Sequence, residues 1–199
     1  MRELLLKLMS EYLVLFSNEQ KRQEKFIEYL KNHDDNQITD WNNFDGHVVV
    51  GGFVYAKEEQ KFLVIYHNDL KMFLYPGGHI DSGDVNPLEA SKREVFEETG
   101  FDDIEEVILS NNGLIPIDID THVIPYNERL NLPEHYHFEF RYLFTIDSIK
   151  EVKLDLSESS NFKWISIDEL REDKNYGRIA KKIDSDLALI RKQLGKFHN

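Results

Sequence analysis

Apolar periodicity marks this chain as an α/β protein. Residues before about position 45 repeat at helical spacing, the segments after it are short β-branched or aromatic runs, and one helix with both ends marked lies among those runs. In the first part, Leu5, Leu8, Met9, Tyr12, Leu13 and Phe16 form one helical stripe. After Ser17 and Asn18 a second helix turns Phe26, Tyr29 and Leu30 inward, so the two make an N-terminal helical hairpin. The polar stretch from His33 to Gly46 reads as connection.

Residues 47–55 and 62–66 then read as a β-hairpin around a polar turn, and Phe73, Leu74 and Tyr75 as a short strand ending at Pro76, Gly77 and Gly78. A small, polar loop carrying Asp81, Ser82, Gly83 and Asp84 leads into a helix. Asn86 can cap it, Pro87 suits its first position, Glu89 stands where a capping-box glutamate would, and Gly100 is a natural stop. Strand-like segments follow at 107–109, 114–124, 137–144 and 162–165, with a helical start from Ile167. Near the end, Ile179, Ile183, Leu187, Ile190 and Leu194 form the stripe of a final helix, expected to dock on the core. The expected organisation is a helical extension over 1–44, a core domain over 45–170, and a C-terminal helix over 171–199 packed on that core.

Charge and composition narrow the function. With 37 acidic against 24 basic residues, the net charge of -13 disfavours binding to nucleic acid. A small phosphorylated ligand is not excluded, because a bound cation can invert the local potential. The absence of cysteine rules out disulfides, thiolate metal sites and a cysteine nucleophile, and is consistent with a cytoplasmic location. No stretch approaches the roughly 20 apolar residues of a membrane-spanning helix.

The chemistry concentrates in Arg93-Glu94-Val95-Phe96-Glu97-Glu98. Glu94, Glu97 and Glu98 stand at i, i+3 and i+4 and share one helix face, where like charges cost about 0.2 to 0.5 kcal/mol per pair unless a cation sits among them. Mg²⁺ takes oxygen ligands and keeps waters and phosphate oxygens, so a few carboxylates on a rigid helix suit it. Arg93 is placed to orient a carboxylate, and Val95 and Phe96 to anchor the helix.

From Gly78 to Phe101 the segment resembles the signature box of the Nudix hydrolase family, G-x5-E-x7-R-E-U-x-E-E-x-G-U with U aliphatic. It matches at Gly78, Arg93, Glu94, Val95, Glu97, Glu98 and Gly100. It departs at Asp84, which replaces the first glutamate, in the eight rather than seven residues that follow it, and mildly at Phe101. The resemblance implies a mixed β-sheet sandwiched between helices and Mg²⁺-dependent, or Mn²⁺-dependent, hydrolysis of the diphosphate linkage of a nucleoside diphosphate derivative. It further implies metal binding by Glu94, Glu97 and Glu98, with the Gly77 carbonyl a further ligand. Catalysis would rest on these glutamates and Arg93, Glu98 being the favoured general base ahead of Glu128, Glu134 and Glu139. A non-catalytic nucleotide-binding module is the alternative.

A second polar cluster completes the picture. Alternation puts Asp118, Asp120 and His122 on one strand face, and His135, His137, Glu139 and Arg141 on one face of another. This looks similar to a Nudix subgroup with a D-I-D-x-H segment and a histidine-rich strand. Asp120, His122, His137, Glu139 and Arg141 are therefore candidate substrate contacts lining a wet cleft, and a metal site from Asp120, His122 and His137 is a weaker reading. Pro116 stands where proline resembles members acting on ADP-ribose. Trp41, Tyr55, Tyr66 and Phe73 are candidate base-stacking residues. A homodimer is expected.

Overall fold

The structure, a computed structural model, describes residues 1–109, 113–128 and 131–184. Its centre is a parallel pair of strands, β1 (His47–Ala56) and β7 (His135–Ile146), matched from His47↔His137 to Ala56↔Ile146. The free edge of β1 is shared: β4 (Gly77–His79) pairs with its first half and β2 (Lys61–His67) with its end, both antiparallel. The free edge of β7 is shared likewise by β6 (Asp118–Ile124) and β5 (Glu105–Glu106). Strands β3 (Met72–Leu74) and β8 (Ser159–Ser166) extend the sheet from β2. The result is a mixed eight-stranded sheet, whose four-strand end β4-β1-β7-β6 carries the second polar cluster on β6 and β7.

Helices cover both faces. Helix α4 (Pro87–Thr99) lies on one, with Val95 fully buried, and α5 (Ile167–Glu172) and α6 (Gly177–Asp184) lie on the side where Tyr176 meets Phe53 and Tyr75 edge-on. The N-terminal hairpin, α1 (Arg2–Leu15) and α2 (Gln20–Asn32), closes the β6 edge: Gln23 donates to the Ile119 carbonyl at 2.8 Å, and Phe26 stacks on Phe138 with ring centroids 4.8 Å apart. Phe26 is fully buried, which is worth about 1.5 to 3 kcal/mol of transfer free energy. Among the described residues, no helix is long and apolar enough to cross a membrane.

Four expectations need correction. The stretch after His33 contains a helix, α3 (Asp35–Thr39), because Asp34 and Gln37 form a reciprocal capping box. Pairing on β6 begins at Asp118 rather than 114, since Pro116 has no N–H to extend the ladder. Strand β5 precedes the expected 107–109, and its ladder ends with the Val107 N–H donating to Leu143. Phe96 does not anchor α4: it is 51% exposed, because its side chain falls away from the Val95 face. Ile179 and Ile183 are fully buried on α6, whereas Leu187, Ile190 and Leu194 lie outside the described residues.

The hairpin, the sheet and α6 meet in a closed ion-pair network. Fully buried Asp118 accepts from Arg22 at 2.7 Å, Lys182 at 2.6 Å and Arg141 at 3.3 Å. Asp120 accepts from Arg22 at 3.0 Å, Arg141 at 2.8 Å and Arg178 at 2.7 Å. With Glu139 on Arg141 and Glu19 on Arg22 and Lys182, four acids face four bases. Burial pushes the Asp118 carboxyl up, but Lys182, Arg141 and Arg22 outweigh it and hold it below the usual carboxylate range. Its contribution to stability is therefore present at neutral pH and is lost as pH falls below about 4 through the depressed folded value. Replacing Asp118 by Ala takes the buried carboxylate shared by Arg22, Arg141 and Lys182 out of the network, and should cost about 3 to 5 kcal/mol in urea unfolding; a loss below about 1 kcal/mol would contradict this role.

Candidate active site

Helix α4 forms where its local chemistry requires it. The Asn86 side chain accepts from the Glu89 N–H at 3.0 Å, Pro87 occupies the first turn, and Gly100 ends the helix at φ 75° with its N–H on the Phe96 carbonyl at 2.7 Å. Ser91 bonds the Gly51 carbonyl at 2.9 Å and fixes the helix on β1. The carboxylate face is thereby brought against β4.

That contact depends on a missing side chain. A Cβ at Gly78 would lie 2.7 Å from all three atoms of the Glu94 carboxylate, and one at Gly77 would lie 2.4 Å from the Val50 carbonyl oxygen. The Gly77 N–H in turn donates to Glu98 Oε2 at 2.6 Å. Arg93 gathers the rest: it donates to Glu94 and Glu97 at 2.9 Å each, to Asp84 at 2.9 Å, and to the His79 carbonyl at 2.8 Å. Asp84 thus meets the other box residues through Arg93 despite the extra residue after it. Glu97 is half exposed, while Glu94 and Glu98 are buried.

Burial dominates the electrostatics. It lifts the Glu94 carboxyl to about 7, against the pull of Arg93, and the Glu98 carboxyl to about 8, against the Gly77 N–H. The carboxylates of Glu158, Glu94 and Asp155 add to the rise at Glu98, and Glu97 and Glu158 to that at Glu94. Glu158, just before β8, is an exposed acid near enough to act on both carboxyls, and no motif in the sequence marks it. Glu94 and Glu97 share one cation, Arg93, and Glu94 and Glu98 meet β4 at two glycines that put no side chain in their way. Such a donor set fits a hard divalent ion, which would relieve both the repulsion and the desolvation.

The second cluster lies on the other side of β4. Residues alternate across the strand, so Gly78 faces Glu94 while His79, opposite Val49, shares its face with His47 and, through the β1–β7 register, with His137. Strands β6 and β7 are neighbours, in register at Asp118↔Arg141, Asp120↔Glu139 and His122↔His137. The structure thus brings Asp120, His122, His137, Glu139 and Arg141 together, away from the α4 carboxylate face. The Asp118 end is no wet cleft: Arg141 is 3% exposed, and Glu139 is held by Arg141 at 2.9 Å and by the Tyr75 hydroxyl at 2.5 Å. Burial and the neighbouring rings lower the basicity of His47, to about 4, and of His137, while lost hydration, His135 and Arg93 together outweigh Asp81 and lower that of His79. Glu128 and Glu134 are exposed, and Tyr55 belongs to the core.

Comparison with known proteins agrees with this architecture. The family model described as NUDIX domain matches residues 45–186. The chain is 34% identical over 101 residues to a probable DHNTP pyrophosphohydrolase of Lactococcus lactis subsp. cremoris, covering 51% of this chain and 54% of that protein. It is 28% identical over 109 residues to an RNA pyrophosphohydrolase of Bartonella bacilliformis, covering 50% of this chain and 61% of that one. The chain therefore spans little more than half the length of these curated relatives. A crystal structure of a NUDIX-family hydrolase from Clostridium perfringens superposes with a TM-score of 0.54 at 25% identity, covering 69% of this chain and 96% of the other.

The raised carboxyls make a directional prediction. Protons compete with a cation for Glu94 and Glu98 below about pH 7 to 8, so Mg²⁺ affinity should rise between pH 6 and 8, with proton release on binding. Calorimetry in two buffers of different ionisation enthalpy reads that release, which should shrink in Glu98→Gln; affinity flat across this window would contradict it. With the family model spanning more than two thirds of the sequence and the fold in agreement, the chain belongs to the Nudix family.

Proposed function

We propose that this protein is a divalent-cation-dependent pyrophosphohydrolase that cuts the diphosphate linkage of a nucleoside diphosphate derivative. The observation that carries the reading is the face of Glu94, Glu97 and Glu98, held by Arg93 and packed against the backbone of Gly77 and Gly78. The pyrophosphohydrolase names of the two curated relatives support the reaction class.

Glu94, Glu97 and Glu98 would hold Mg²⁺ or Mn²⁺, with the Gly77 carbonyl beside them. Bound there, the ion would neutralise phosphate charge and make water a better nucleophile. The chain's own residues supply the rest. Arg93, fixed by Asp84 and the His79 carbonyl, keeps Glu94 and Glu97 in one orientation. Glu98 takes the proton from the attacking water, its Oε2 held in place by the Gly77 N–H. As the water oxygen bonds to phosphorus, the bridging P–O bond breaks and the leaving phosphate carries away the electron pair.

The substrate class is tested with a panel: ADP-ribose, which the position of Pro116 favours, dihydroneopterin triphosphate and a dinucleoside polyphosphate. Phosphate release is coupled to a phosphatase, in Mg²⁺ or Mn²⁺. Hydrolysis of at least one member should fall by about 100-fold or more in Glu97→Gln, in line with losing one preorganised electrostatic group. Turnover of none, in protein that binds Mg²⁺, would replace the enzyme by a nucleotide-binding module.

A further inference from the structure

Outside the carboxylate helix, one group of imidazoles turns its ring nitrogens towards each other. His47, His79 and His137 place a ring nitrogen each within 4.8 Å of the others. The Nε2 atoms of His47 and His79 are 3.2 Å apart, and those of His137 and His135 3.3 Å. Two imidazole nitrogens on one tetrahedral Zn²⁺, at about 2.0 to 2.1 Å each, stand about 3.3 to 3.4 Å from one another. The His47–His79 pair has close to that spacing, and His137 brings a third nitrogen within 4.8 Å of both.

The outer hydrogen bonds point the same way. His47 Nδ1 lies 3.4 Å from the Asn43 carbonyl and His135 Nδ1 lies 2.8 Å from the Pro133 carbonyl. A carbonyl only accepts, so each Nδ1 carries the proton and each Nε2 turns a lone pair towards the cluster. A backbone carbonyl on the far ring nitrogen is the arrangement that fixes the tautomer of metal-bound histidines. The neighbouring group of Asp120, His122 and Glu139 is a poorer candidate, because its acids are already paired with Arg141, Arg22 and Arg178.

We propose that His47, His79 and His137 form a second metal site, on the opposite side of β4 from the glutamates, that takes a borderline divalent ion of the Zn²⁺ class. His135 stands beside His137 as a further nitrogen. His47 is buried, His137 partly so, and His79 is exposed, so the site is held by the sheet and open on one side. Imidazole donors suit zinc and its neighbours, whereas Mg²⁺ prefers the oxygens on α4. One strand would thus separate two ions of different chemistry.

The test is titration of the chelator-stripped full chain with Co²⁺, read by its visible absorption in the presence of excess Mg²⁺. One equivalent should bind with the intense spectrum of a tetrahedral nitrogen-ligated ion, and Zn²⁺ should displace it. Glu97→Gln should retain the spectrum. His79→Gln, at an exposed position that leaves folding intact, should lose it and weaken Zn²⁺ binding beyond the roughly 10-fold to 100-fold that loss of an outer partner costs; His137→Gln should do the same. A spectrum unchanged by His79→Gln, or one lost in Glu97→Gln, would overturn the proposal.

Discussion

The close approach of the α4 carboxylates to a strand without side chains is the constraint on which the rest depends. Glu94 fits only because Gly78 has no Cβ, and Glu98 is held by the Gly77 N–H. Strand β4 is three residues long and is held in turn by its ladder to β1, from Gly51↔Gly77 to Val49↔His79. Helix caps, strand register and Arg93 all serve to bring negative charge to a place where burial and like charges oppose it. A fold selected for stability alone would gain nothing from that, whereas a divalent cation bound there would give it a purpose.

The opposite side of β4 uses charge differently. Around Asp118 and Asp120 the acids are matched by Arg22 from the hairpin before the sheet, Arg141 from β7 within it, and Arg178 and Lys182 from the helix after it. Buried charges are tolerated when paired and hydrogen-bonded, and here the pairing also joins three parts of the chain. His122 reaches Asp120 at 3.4 Å, whereas His47, His79 and His137 are not among the partners of these charges. The same sheet end therefore presents a neutralised network, a set of clustered imidazoles and, across β4, carboxylates only partly offset by Arg93.

How legible this was in the sequence depended on the range of each interaction. Asn86, Pro87 and Gly100 act within a turn of where they stand, so α4 and its glutamate face could be placed from local rules. The alternation of Asp118, Asp120 and His122, and of His137, Glu139 and Arg141, showed two polar faces, while their adjacency depends on pairing between β6 and β7. Tyr12, Arg22 and Lys182 could not be assigned to Asp118, because they reach it from 106, 96 and 64 residues away. Strand β4 was hidden because glycines carry no periodicity, and His47 and His79 because lone histidines look structural until a sheet brings them together. The capping box of Asp34 and Gln37 was readable and marks the helix that the polar composition concealed.

The most direct test of the central claim keeps all three glutamates and changes only the strand beside them. Mn²⁺ binding to the full chain, counted by electron paramagnetic resonance, should weaken markedly in Gly78→Ala while the thermal midpoint barely moves, because the added Cβ displaces a flexible carboxylate rather than backbone. Unchanged Mn²⁺ affinity in a folded Gly78→Ala protein would show that the carboxylate approach to β4 is not what makes the site.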